Sequence, residues 1–183
     1  MRLFTAIDLP AALLERVEGT LATLRPLAAI SWSRPENLHI TTKFLGEWPE
    51  ERLEELKKTL QPLAARSPVA ITIRGLGWFP DSRRPRGLYA GVDGGTALPD
   101  LARATDAALA AIGVAAESKA YSPHLTLARV KDRFPIERLR PAAEKHEGEL
   151  FGRFEAERFW LYRSQLTPRG SVYTKLAAFS FCS

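Results

Sequence analysis

Two of the chain's three histidines sit in the same short phrase: His39-Ile40-Thr41-Thr42 and His124-Leu125-Thr126-Leu127 both read His-x-Thr-x. On a β-strand, side chains at i and i+2 share a face, so each phrase sets an imidazole beside a hydroxyl. Imidazole has an unperturbed pKa of ~6.5, so near neutral pH one member of a pair can be neutral while the other holds a proton. That is the equipment for paired base and acid catalysis, with the hydroxyls suited to donating to phosphoryl oxygens. A lone strand histidine is commonly structural, but duplication of a fold requires matched shape and hydrophobicity and has no need of matched imidazoles.

The phrases are related by a constant shift (124 − 39 = 85 and 126 − 41 = 85). The same shift carries Leu3-Phe4-Thr5-Ala6-Ile7-Asp8 onto Leu88-Tyr89-Ala90-Gly91-Val92-Asp93, aliphatic on aliphatic, aromatic on aromatic and Asp on Asp. An internal repeat of this kind predicts one domain of two pseudo-symmetric lobes, about 1–84 and 85–183. Period-two and period-three-to-four patterns predict strands over 2–8, 30–33, 37–45, 69–78, 87–93, 123–130, 152–163 and 171–181. Helices are predicted over 10–26, from Pro49 through Leu63, over 98–112 and over 135–146. Thr167-Pro168-Arg169-Gly170 reads as a hairpin turn, and 79–86, with two prolines and three arginines, as the loop between the halves. Strand and helix alternating in each half give an α+β fold of two lobes fused through one core.

Around the motifs, Lys43 lies four residues after His39 and would share its face on an unbroken strand. Arg129 lies five after His124 and points away unless a bulge turns it. Both are candidate phosphate-binding groups, while Thr42 belongs to the opposite face. No carboxylate shares the histidine face within the motifs, so the three or more ligands that a zinc or two-metal site wants are missing from them. Asp8 and Asp93 are the nearest by symmetry and fit helix caps or outer partners of the site. His146, among Glu144, Lys145 and Glu147, reads as an exposed helix residue. No Gly-x-x-x-x-Gly-Lys loop, Gly-x-Gly-x-x-Gly turn or Gly-x-Ser-x-Gly elbow occurs, which leaves ATP-driven and serine-nucleophile mechanisms without support.

The 26 basic residues, most of them arginine, exceed 21 acidic ones for a net charge of +5, which favours an anionic partner such as RNA. A basic surface is expected from Arg83, Arg84, Arg86, Lys131 and Arg133. The single cysteine, Cys182, allows no intrachain disulfide, and with no signal-peptide pattern or membrane-length apolar run the expectation is a cytoplasmic protein. No apolar stripe calls for a second copy, and a monomer is expected.

The doubled motif resembles that of the 2H phosphoesterases, and the surrounding text resembles the bacterial and archaeal RNA 2',3'-cyclic phosphodiesterases, long called 2'-5' RNA ligases. The likeness runs through RLFTAIDLP (2–10), HITTKFLGE (39–47), GLGWFP (75–80), RPRGLYAGV (84–92), SPHLTLAR (122–129) and YTKLA (173–177). It implies two antiparallel sheets flanked by helices with the site in the cleft between them. It also implies hydrolysis of an RNA 2',3'-cyclic phosphate to a 2'-phosphomonoester without metal or ATP, and in some relatives joining of RNA ends through a 2'-5' bond. By the same resemblance His39 is the proton donor to the leaving 3'-oxygen, His124 the proton acceptor from water, and Thr41 and Thr126 hold the phosphoryl oxygens. The residues alone leave acid and base interchangeable. They also leave open an esterase for small cyclic nucleotides and an RNA-binding module without chemistry. Thr42 stands where the family usually has an aliphatic residue, on the face away from the site.

Overall fold

The structure is a computed structural model and describes residues 1–131 and 135–182. Strand β1 (Arg2–Asp8) runs into helix α1 (Ala11–Leu24), which Pro10 introduces and which buries Leu13, Val17, Leu21 and Leu24 along one stripe. A two-residue strand, β2 (Ser31–Trp32), and a 3-10 turn over Pro35–Asn37 lead to the first motif strand, β3 (His39–Glu47). After a 3-10 turn at Glu50–Arg52 come α2 (Leu53–Leu60), β4 (Val69–Phe79) and β5 (Gly87–Asp93). Helix α3 (Ala97–Ala110) then precedes the second motif strand, β6 (His124–Arg129). Helix α4 (Leu139–Glu144) is shorter than the expected 135–146, and strands β7 (Leu150–Ala156), β8 (Arg158–Thr167) and β9 (Gly170–Ser180) complete the chain.

Among the described residues all strand pairings are antiparallel, in the order β7-β4-β5-β6-β3-β1-β8-β9, with β2 also on β6. Between β6 and β3 the ladder narrows to the single pair Ile40↔Leu125, so two four-stranded sheets meet at one bridge, and β2 pairs with β6 beside it. The sheets do not follow the sequence halves. Strand β4 precedes the 79–86 loop yet pairs with β5 and β7, while β8 and β9 come last yet extend β1. The predicted continuous strand 152–163 is broken at Glu157 for this reason: β7 completes one sheet, and the chain then crosses to the other as β8. Helices cross over too, α1 packing on β7 and α3 on β3. One hydrophobic cluster, including Leu3, Ile7, Leu21, Ile40, Ile73, Leu88 and Leu125, therefore spans both lobes beneath the helices. Each such side chain contributes roughly 1.5–3 kcal/mol on burial.

Both motif strands carry a bulge just after the threonine. On β3, Ala6 faces Thr41 and Thr5 faces Lys43, leaving Thr42 as the extra residue; on β6, Tyr89 faces Thr126 and Leu88 faces Ala128, leaving Leu127 extra. An extra residue reverses the alternation beyond it. Among the described residues, no helix is long and apolar enough to cross a membrane.

Candidate active site

The Ile40↔Leu125 bridge is the local pseudo-two-fold point, and both of its side chains are buried on the helix side. Continuing its register puts His39 across from Thr126 and Thr41 across from His124, all on the other face. There the Nε2 of His39 lies 3.0 Å from Thr41 Oγ1. In both repeats the ring is fixed from behind by a backbone carbonyl two residues earlier: Asn37 O is 2.7 Å from His39 Nδ1, and Ser122 O is 2.8 Å from His124 Nδ1. A carbonyl only accepts, so each Nδ1 carries the hydrogen and each Nε2 faces the cleft as the atom that gains or loses a proton. The Asn37 carbonyl is itself held by the 3-10 turn and by the residue's side-chain amide, which donates to Ser171 O at 2.8 Å.

The two imidazoles have different surroundings. His39 is half-buried in an aromatic wall, with Phe4 at 4.8 Å, Tyr173 edge-on at 5.3 Å and Tyr162 at 6.2 Å between ring centres. Burial is the main cause that lowers its pKa below the ordinary value; the Asn37 carbonyl and the carboxylate of Asp8 pull it back up, and His124 pushes it further down. His124 is exposed, with the Tyr89 ring edge-on at 6.1 Å. Tyr89 lies over Gly77, where an added Cβ would fall 2.6 Å from the phenol.

Of the two cations expected here, the paired bulges exclude one from the cleft and turn the other toward it. Lys43 pairs with Thr5 and so faces the helices, not the cleft: its Nζ lies 2.7 Å from Asp106 Oδ1, 3.2 Å from Glu117 Oε1 and 2.8 Å from the Ala115 carbonyl. The expectation that Lys43 binds substrate is corrected by this, and Phe44 takes the face that an unbroken strand would have given it. Arg129 pairs with Gly87, which shares its face with Tyr89 and Gly91, so the bulge turns Arg129 toward the cleft. Thr42 lies on the helix side as expected, its hydroxyl 2.7 Å from that of Thr5.

The remaining candidates lie elsewhere. Asp93 pairs with Thr72 and its carboxylate accepts from the Gly95 N–H at 2.9 Å. His146 is half-buried past the end of α4, hydrogen-bonded to Glu149 rather than solvated on a helix, because Leu76 and Gly75 dock their N–H groups on this turn. Arg83, Arg84, Arg86 and Lys131 are exposed, and Arg133 lies outside the described residues. Among the described residues, no three His, Cys, Asp or Glu side chains converge as a metal site.

Sequence reasoning missed the wall around His39. Tyr162 and Tyr173 come from β8 and β9, distant in sequence, and only the alternation of those strands hinted that they face one way. It also misaligned the first strand of each repeat. By pairing, Asp8 opposite His39 corresponds to Gly91 opposite His124, a shift of 83 (91 − 8) rather than the 85 of the motifs.

A family model described as LigT like Phosphoesterase matches the chain twice, over residues 7–89 and 93–173, each segment holding one His-x-Thr. A protein of Archaeoglobus fulgidus named RNA 2',3'-cyclic phosphodiesterase is 35% identical over 98% of this chain and 99% of its own; a Methanocaldococcus jannaschii protein of the same name is 36% identical over 94% and 96%. Among solved structures, that of TT0787 of Thermus thermophilus aligns over 99% of this chain and 98% of its own, with a TM-score of 0.79 and 34% identity. That of E. coli LigT complexed with 3'-AMP aligns over 100% and 98%, with a TM-score of 0.81 and 26% identity. With both halves matched and the two histidine phrases facing one cleft, the chain belongs to the LigT like phosphoesterase family, a 2H phosphoesterase family.

Proposed function

We propose that the protein is an RNA 2',3'-cyclic phosphodiesterase that opens the cyclic phosphate to a 2'-phosphomonoester without metal or ATP, acting as a cytoplasmic monomer. The observation that carries this is the pair of Nε2 atoms, each backed by a carbonyl on Nδ1 and accompanied by a threonine hydroxyl, presented to one cleft from two strands. Displacement at phosphorus needs a base on the attacking side and an acid on the leaving side. The neutral Nε2 of His124 takes a proton from water as the new P–O bond forms. The Nε2–H of protonated His39 is given to O3' as the P–O3' bond breaks, leaving a free 3'-hydroxyl. Thr41 and Thr126 donate to the non-bridging oxygens, and Arg129 faces the negative charge. An RNA 5'-hydroxyl in place of the water joins the ends by the same two proton transfers, and the bond formed is 2'-5'. The names of the relatives and the basic composition favour RNA over a small cyclic nucleotide.

The test is hydrolysis, in EDTA, of a short RNA ending in a 2',3'-cyclic phosphate, with 2'- and 3'-phosphate products resolved. The expected product is the 2'-phosphate, formed at undiminished rate in EDTA. A 3'-phosphate, or arrest by EDTA, would reject the reading, and turnover of mononucleotide cyclic phosphates alone would reassign it to the small-molecule esterase.

A pH prediction follows from the electrostatics of His39. Burial holds its pKa down in the free protein, whereas a bound phosphodiester anion favours the imidazolium and raises it. The fall in kcat on the alkaline side is therefore expected at higher pH than the fall in kcat/KM. Coincident alkaline limbs would show that substrate charge does not reach the acid.

A further inference from the structure

The two-fold likeness of the motifs fails at one position beside each histidine. Across β1 and β3, His39 is paired with Asp8; across β5 and β6, His124 is paired with Gly91. No side chain can be placed at Gly91 without a shift of the main chain, since an added Cβ would lie 2.5 Å from the Arg74 carbonyl oxygen. The nearest acid along that strand, Asp93, is two residues on and engaged with the Gly95 N–H. One histidine thus has a carboxylate in the adjoining strand position and the other has a bare backbone.

Asp8 is also held in place. The Tyr162 hydroxyl donates to its Oδ1, and Lys175 Nζ lies 2.6 Å from its Oδ2. Burial, then the Asp8 bond, raise the Tyr162 pKa, so the phenol stays a donor. The Lys175 ammonium rests over the Trp160 ring at 4.2 Å, and the Tyr162 ring stacks on Phe4 at 5.1 Å, which in turn packs on His39. The titratable and charged groups around His39 are Asp8 from β1, Tyr162 from β8, Tyr173 and Lys175 from β9, and His124 from β6. Asp8 is the only carboxylate among these.

We propose that Asp8, gripped by Tyr162 and Lys175, is a positioning residue that opposes the burial of His39 and helps it carry the proton as the acid of the pair, leaving His124 as the base. Two imidazoles facing one phosphate are chemically interchangeable, and a fixed negative charge beside one of them removes the degeneracy. Lys175 moderates that charge, so the aspartate and the lysine act on His39 with opposite sign. The direction of the reaction's proton flow rests on the cyclic phosphodiesterase reading, whereas the effect on His39 titration does not.

The test follows the His39 ring signal by NMR across pH in the wild type, Asp8→Asn and Lys175→Met, beside kcat/KM at pH 5 and pH 8. Removing the anion should shift His39 titration to lower pH and reduce kcat/KM about fivefold at pH 8, with a smaller loss at pH 5, where a larger share of the acid holds its proton. Removing the lysine should move both the other way. Purely structural roles would give losses of one sign at both pH values. The proposal is overturned if His39 titration is unmoved by Asp8→Asn, or if the two variants shift it in the same direction. Should Asp8→Asn fail to fold, Lys175→Met decides alone: titration moved to higher pH supports the assignment, and unmoved or lowered titration overturns it. Absent turnover of cyclic-phosphate RNA in the wild type would reject the proposed function while the titration arm still judged Asp8.

Discussion

His39→Ala and His124→Ala are each expected to lower kcat for cyclic-phosphate RNA by about 10²- to 10⁴-fold, the usual worth of a positioned acid or base. KM should change far less, because Arg129 and both threonine hydroxyls remain to hold the phosphate. The double variant should lose little more than the worse single one: once either proton transfer is missing the concerted path is closed, and residues acting as a unit are strongly non-additive. The two substitutions differ in their structural effect. His39 is packed against Phe4, Tyr162 and Tyr173, so its truncation leaves a gap and should lower the melting temperature, whereas His124 is exposed and its truncation should not. Rates measured well below both melting temperatures separate chemistry from stability. A single variant retaining more than about a tenth of wild-type kcat would mean that its imidazole moves no proton in the rate-determining step.

Much of this was legible because a strand's period of two needs no tertiary knowledge. His-x-Thr twice at one spacing placed four functional groups on one face, and the register of the bridge agrees with that placement. What sequence could not supply was whatever breaks the period or arrives from afar. The bulges at Thr42 and Leu127 have no proline or glycine to announce them, yet they reverse the alternation and so send Lys43 inward and Arg129 to the cleft. The exchange of strands between sheets escaped for a related reason: the apolar pattern of 152–163 continues across Glu157, although the two parts belong to different lobes. The apparent match of Asp8 with Asp93 shows the opposite hazard. A shift correct for the motif strands was two residues out for their partners, and it concealed the asymmetry that distinguishes the two histidines.

Asp106→Ala is expected to destabilise the protein by about 2 kcal/mol, and Lys43→Met by less than about 1 kcal/mol, although the two substitutions break the same ion pair. The asymmetry comes from what each leaves behind. The Lys43 side chain is 2% exposed and Asp106 25%. Removing the aspartate strands an ammonium away from water with the half-exposed Glu117 and the Ala115 carbonyl as its remaining partners, and also deprives the Glu117 N–H of its acceptor. Removing the lysine leaves two carboxylates that water can reach, and a methionine fills much of the space. For a chain of this size the aspartate variant should melt about 4–8 °C lower. Because Lys43 faces the helices, Lys43→Met should leave kcat and KM for cyclic-phosphate RNA within about twofold of wild type. A tenfold rise in KM with an unchanged melting temperature would restore Lys43 to the phosphate site and require β3 to run past Thr41 without its bulge, which would in turn carry Phe44 to the helix side.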